Sequence, residues 1–254
     1  MTRLREAPRY TNPGHPFDGA PLEAVGRISK LSKDGGVRFQ YFSDDFLQYP
    51  GPNTAGEAGG WLLTETAAGG GNAQRVDVDD SVQFGVLKLL TDNADNDTEI
   101  LQLVGEPWRY VKGKRLWFGA RVALQVANDG ECFFGLAITD LSPVASLPSD
   151  GLFFEKAETA VKMDFHARKG GTSTEKTSVD KSNMADATYH EYAVYVDELG
   201  NVHVFYDGDE VASIAASDAN LPNTEDLTLI LAYQTGAAAA QSMLVDWVLI
   251  AQER

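Results

Sequence analysis

The chain has 254 residues, of which 43% are hydrophobic and 23% charged; that is ample for one large buried core and too apolar for a disordered chain. Its 37 acidic residues outweigh 21 lysines and arginines, for a formal net charge of -16. Such a surface repels phosphate backbones, and the one basic cluster, Lys112, Lys114 and Arg115, is small, so nucleic acid is excluded as a partner.

In chain order, Met1–Gly36 reads as an extended arm, with Pro8, Pro13, Pro16 and Pro21 interrupting any period. The opening MTRLREAPRY has no hydrophobic signal region and no apolar run reaches transmembrane length, which predicts synthesis in a cytoplasm and no membrane contact. Residues 37–254 read as one domain. Strands are expected at Val37–Phe42, Trp61–Thr66, Ala73–Val78, Val82–Leu90 and Glu99–Val104. Along Arg115–Val126, the residues Leu116, Phe118, Ala120, Val122, Leu124 and Val126 share one parity and are expected to face the core. Asn128-Asp129-Gly130 turns the chain into Cys132–Thr139, and strands follow at Leu152–Phe154 and Val161–His166. The polar stretch Gly170–Asn183 predicts an exposed hairpin or loop. Tyr189–Ala215 predicts a three-stranded meander turned at Glu198–Asn201 and at Asp207-Gly208. Leu227–Tyr233 and Met243–Ile250 complete the set. So many short strands without a credible helix predict an all-β fold: two packed antiparallel sheets in a jelly-roll sandwich.

Chemistry is sparse in this pattern. Asp77 with Asp79, and Asp95 with Asp97 and Glu99, have the spacing of paired carboxylates on a strand, but both sets sit beside turns. Glu155 and Glu158 are three apart and diverge on a strand, and the Glu-x-Asp-x-x-Glu pattern of laminarinase-like jelly rolls is absent. Asp92–Glu99 and Asp207-Gly208-Asp209 are oxygen-rich, as a hard cation requires, without EF-hand spacing. His15, His166, His190 and His203 have no zinc-ligand spacing, although His190 and His203 could meet across a hairpin. Cys132, the only cysteine, reads as a buried inert thiol between apolar neighbours. No Gly-x-Ser-x-Gly elbow occurs, and Gly69–Gly71 lacks the lysine of a phosphate loop. No catalytic, metal or cofactor residue is therefore assigned, and no enzyme activity is expected. Tyr41, Tyr49, Trp61, Trp108, Tyr110, Trp117 and Tyr233 are candidates for stacking on sugars or lining an interface, with Trp108 and Tyr110 expected nearest the surface.

The stretches LWFGARVAL, CFFGLAITD, YHEYAVYVDELGNVHVFYDG, LPNTEDLTLILAYQTG and VDWVLI resemble concanavalin A-like jelly rolls, in particular bacteriophage structural proteins with that fold. The resemblance implies a virion role: a capsid decoration protein docked on the major capsid protein at the outer capsid surface, a homo-oligomer with a trimer favoured, and the arm as its anchor. The alternative it implies is a carbohydrate- or receptor-binding module of a phage tail or fibre, with host-surface glycans as partners.

Overall fold

A computed structural model describes residues 39–46, 60–66, 75–78 and 85–254. The Met1–Gly36 arm and its boundary lie outside the described residues. Those described form two antiparallel sheets, and no helix among them is long and apolar enough to cross a membrane.

The seven-stranded sheet runs β10 (Thr172–Lys176), β9 (Asp164–Lys169), β8 (Gly151–Lys156), β7 (Glu131–Ala137), β14 (Thr228–Gln234), β5 (Thr98–Leu103) and β2 (Trp61–Thr66). The eight-stranded sheet runs β13 (Asp209–Ile214), β12 (Val202–Tyr206), β11 (His190–Val196), β6 (Leu116–Leu124), β15 (Ser242–Glu253), β4 (Leu87–Leu90) and β3 (Arg75–Val78). In it β15 is the hub: one edge pairs with β6, and the other pairs first with β4 and then with β1 (Phe39–Asp44).

The period of two decides what lies between the sheets. Leu116, Phe118, Ala120, Val122 and Leu124 of β6 face inward with Tyr192, Val194 and Val196 of β11 and with Val202 and Val204 of β12. β6 stops at Leu124, so the expected Val126 lies beyond it. Opposite stand Phe134 of β7, Phe154 of β8 and Phe165 of β9. Their rings and that of Tyr192 sit 5.1–5.4 Å apart, centroid to centroid, across the middle of the sandwich. Burying several aromatic rings together contributes more than their area alone, about 0.5–1.5 kcal/mol per favourable pair. The Tyr192 hydroxyl donates to Asp180, which also accepts from the Met163 N–H, so this buried carboxylate is bonded at both oxygens.

The meander is β11–β13. Its second turn has positive φ at both central residues, Asp207 (46°) and Gly208 (87°), as a two-residue hairpin that follows the twist of its strands requires. Tyr189, just before β11, lies on the outer side of the eight-stranded sheet against Val86, Ala123 and Leu244. The polar stretch after Gly170 is a hairpin, β9–β10, turned by Gly170 and Gly171 at φ 55° and 82°.

Candidate functional site

Inward residues fill the core, so chemistry is confined to the two outer faces and the loops. On the outer face of the seven-stranded sheet, register places Gln102 beside Ile230, Ile100 beside Ala232 and Thr98 beside Gln234. It continues through Phe133 opposite Ala232, Phe153 opposite Gly135 and His166 opposite Phe153, and ends with Glu175 opposite His166. The middle is apolar: Ile100, Phe133, Ala137, Phe153, Ile230 and Ala232 are fully buried, with Val144 and Leu147 of the loop after β7 packed against them.

Gly135 makes this floor possible. A Cβ there would lie 2.5 Å from Phe153 Cα and 2.7 Å from the Leu152 carbonyl oxygen, so no side chain fits where β8 crosses it. Phe153 packs against Phe133 with the rings tilted and their centroids 4.6 Å apart, and it stacks on the His166 ring at 5.2 Å.

Polar groups ring the apolar floor and are under-satisfied. Both amide atoms of Gln102, both ring nitrogens of His166, Arg168 Nε and Gln234 Oε1 are buried without a hydrogen-bond partner. His166 Nε2 lies 3.4 Å from Glu155 Oε2, close but outside hydrogen-bonding geometry. Register sets Asp164 beside Glu155, and Glu131 lies two residues before Phe133, the cross-strand partner of Glu155. Burial pushes the Glu131 carboxyl up, a backbone N–H bond from Glu158 opposes this, and the charges of Glu155 and Glu158 add to the rise. An orphaned buried polar atom costs about 1–3 kcal/mol, so these four side chains call for partners, whether ordered water or the donors and acceptors of a ligand.

The positions singled out from sequence scatter. Asp79, Tyr49 and His15 lie outside the described residues. Asp95 is exposed while Asp97 and Glu99 are buried. Burial, then the charges of Glu65 and Asp97, push the Glu99 carboxyl up to about 9. Among the described residues no group of three or more His, Cys, Asp or Glu could hold a metal ion. His190 pairs with Asp207 at 2.8 Å and His203 with Glu210 at 2.9 Å, so the two histidines do not meet. Cys132 is fully buried and its thiol is pushed up to about 12 by desolvation. Trp108 and Tyr110 are buried rather than near the surface: Trp108 bridges to Leu227, and the Tyr110 hydroxyl donates to the Gly200 carbonyl at 2.7 Å. Trp61 and Tyr233 are buried too, Trp117 is half-buried and Tyr41 is exposed. Gln102, Arg168 and Gln234, which share the face with His166, were not candidates in the sequence. For Gln102 and Gln234 the signal that could have raised them was a polar residue adjoining an apolar run, whereas Arg168 lies in a strand already rich in polar residues.

No protein-family model matches the sequence, and neither does any curated protein. Solved structures do match in fold. An endo-1,3-beta-glucanase from Streptomyces sioyaensis is 15% identical, with a TM-score of 0.59 over 84% of this chain and 96% of that one. The carbohydrate recognition domain of Emp46p is 11% identical, with a TM-score of 0.55 over 81% of this chain and 94% of that one. Peanut lectin is 13% identical, with a TM-score of 0.52 over 85% of this chain and 97% of that one. At these identities the likeness shows the fold: an all-β sandwich of two antiparallel sheets with jelly-roll architecture.

These neighbours overturn the virion reading. They are lectin-like and glycan-acting domains, not bacteriophage capsid proteins, and nothing in them supports a major capsid protein partner, a decoration trimer or an outer-capsid location. The physical reason is plain in the structure. The stretches behind the resemblance contain β6, β7, β11, β12, β14 and much of β15, whose alternation any two-sheet sandwich needs. They carried the fold and no information about a capsid.

Proposed function

We propose that this chain is a non-catalytic carbohydrate-binding β-sandwich that takes its glycan on the outer face of the seven-stranded sheet. The observation that carries the reading is the set of partnerless buried polar atoms on Gln102, His166, Arg168 and Gln234 around the Phe133–Phe153 floor. Sugar hydroxyls both donate and accept, so they can serve the amide of Gln102 and the two unlike nitrogens of His166, while the C–H faces of the sugar ring suit an aromatic floor. Val144 and Leu147 pack on that floor and are the groups a ligand displaces. The carbohydrate recognition domain, lectin and glucanase among the neighbours support the same class of ligand.

A hydrolase is the second reading, favoured by one observation: the raised Glu131 carboxyl near Glu155 resembles a general acid beside a second carboxylate. One experiment covers both. A broad glycan array, followed by calorimetry on the best ligand, is run with wild type, Gln102→Leu and His166→Ala, and the mixtures are assayed for new reducing ends. Binding that weakens about tenfold in each variant, the equivalent of one lost hydrogen bond, with no reducing ends released, is the expected result. Silence across the array, or unchanged affinity in both variants, overturns the site. Reducing ends lost in Glu131→Gln would replace the binding role with hydrolysis.

A further inference from the structure

The outer face of the eight-stranded sheet holds a separate feature, built by a break in the alternation of β15. Val245 and Val248 both face the core, so the two residues between them, Asp246 and Trp247, both face out. The register shift that achieves this is a β-bulge opposite Arg121. Bulges of this kind re-aim side chains. Of the twelve residues of β15, these two are the only ones not buried.

What the bulge aims is a flat indole. The Trp247 ring lies across Gly119 of β6: a Cβ at that glycine would stand 3.2 and 3.4 Å from its Cζ3 and Cη2, and 3.8 Å from the Ala193 Cβ on β11. The missing side chain at Gly119 thus leaves room for the Cζ3–Cη2 edge of the indole to lie close against β6. The neighbouring rings are arranged otherwise. Trp117 and Tyr195 stack on each other at 5.3 Å, and Tyr195 stacks on His203 at 5.9 Å, so their faces are spent on one another.

Planar polar groups edge the indole. Arg121 donates to Asp246 and lies 4.6 Å over the Tyr189 ring, which holds the guanidinium in place. Glu191 stands opposite Arg121 on β11; burial pushes its carboxyl up, and Arg121 opposes the rise. The Asp207 carboxylate accepts from the Glu191 N–H at 2.9 Å and pairs with His190. A flat aromatic face bordered by a fixed guanidinium and carboxylates matches a pyranose ring, whose C–H face stacks while its equatorial hydroxyls meet bidentate groups in plane.

We infer that Trp247, with Arg121, Asp246 and Glu191, forms a second saccharide subsite, for a neutral sugar, on the sheet opposite the proposed glycan face. Neutrality follows from the edge, where the carboxyls of Asp246 and Glu191 outnumber Arg121 and disfavour a uronate or sulfated sugar. The size of the patch favours a sugar over a protein partner. Leu249 and Ala251, which share this outer face on β15, are about 1% exposed, and stable protein interfaces need on the order of 800 Å² per partner. The inference does not depend on the first glycan face, and the test keeps the two apart.

Uniformly ¹⁵N-labelled protein is titrated with cello-, laminari-, xylo-, manno- and chito-oligosaccharides while the Trp247 indole N–H, assigned with Trp247→Phe, is followed by NMR. At least one neutral oligosaccharide should shift it saturably, also in His166→Ala. Trp247→Ala should weaken that binding at least tenfold, and Trp247→Tyr, which keeps an aromatic face, should recover part of it. An indole resonance that no oligosaccharide moves at millimolar concentration overturns the subsite, and wild-type affinity in Trp247→Ala does the same. A response that vanishes in His166→Ala would assign the effect to the other face and also refute it. The wild-type titration decides the matter even where a Trp247 variant fails to fold.

Discussion

Glu99 is fully buried in the sandwich, and neither of its carboxyl oxygens has a hydrogen-bond partner. It shares the inward parity of Leu101 and Leu103 on β5 and stands opposite Tyr233 and Glu65. Burial, with Glu65 and Asp97 nearby, raises its carboxyl from the ordinary 4.5 to about 9, so the folded protein holds this proton where the unfolded chain has released it. Between those two values the folded state binds more protons, and stability must fall as pH rises through the window. At one unit per 1.36 kcal/mol, pH 7.5 lies three units above the ordinary value of 4.5 and the loss amounts to about 4 kcal/mol at most. Glu99→Gln keeps the shape of the protonated carboxyl and removes its ionisation. It should be nearly as stable as wild type at pH 4.5 and more stable by up to about 4 kcal/mol at pH 7.5, roughly 8–16 °C in melting temperature for a chain of this size. Calorimetric melting of both proteins from pH 4.5 to 9 measures this difference. Parallel pH profiles would place an ionised Glu99 in the folded protein and refute the reasoning.

Two other substitutions probe the frame that carries the sites. Gly208→Val puts a β-branched residue at φ 87°, and urea unfolding should register a loss of at least about 1–2 kcal/mol; an unchanged midpoint would mean the turn can adopt another type. Tyr192→Phe removes the hydroxyl that bonds the buried Asp180 carboxylate, with an expected cost of about 1–3 kcal/mol, and Tyr192→Phe combined with Asp180→Asn should recover part of it. Equal stability of wild type and the single variant would show that water serves Asp180 instead.

Much of the architecture was legible in the chain because a period of two is a local property. The alternation in Leu116–Leu124 and Tyr192–Val196 assigns an inner face without reference to any other strand, and Asp207-Gly208 announces its own turn. The glycan face was not legible. Gln102, His166 and Gln234 come from β5, β9 and β14, and they share one face only because sheet order brings those strands together. Each, read alone, is an ordinary polar residue in a strand. The virion reading failed for a related reason: it rested on strand patterns that report burial, and burial is common to every protein with this fold.

What the sequence by itself determined is which residues had to leave water, since hydrophobic alternation is written residue by residue. Tertiary structure alone decided which outward residues become neighbours, and so where a ligand can be held. The bulge at Asp246 and Trp247 makes the difference concrete. One extra residue in β15 reverses the parity of everything after it, and that shift exists only relative to the pairing with β6. Gly119, silent in sequence, makes room for an indole more than a hundred positions away because sheet pairing, not chain proximity, sets what touches what.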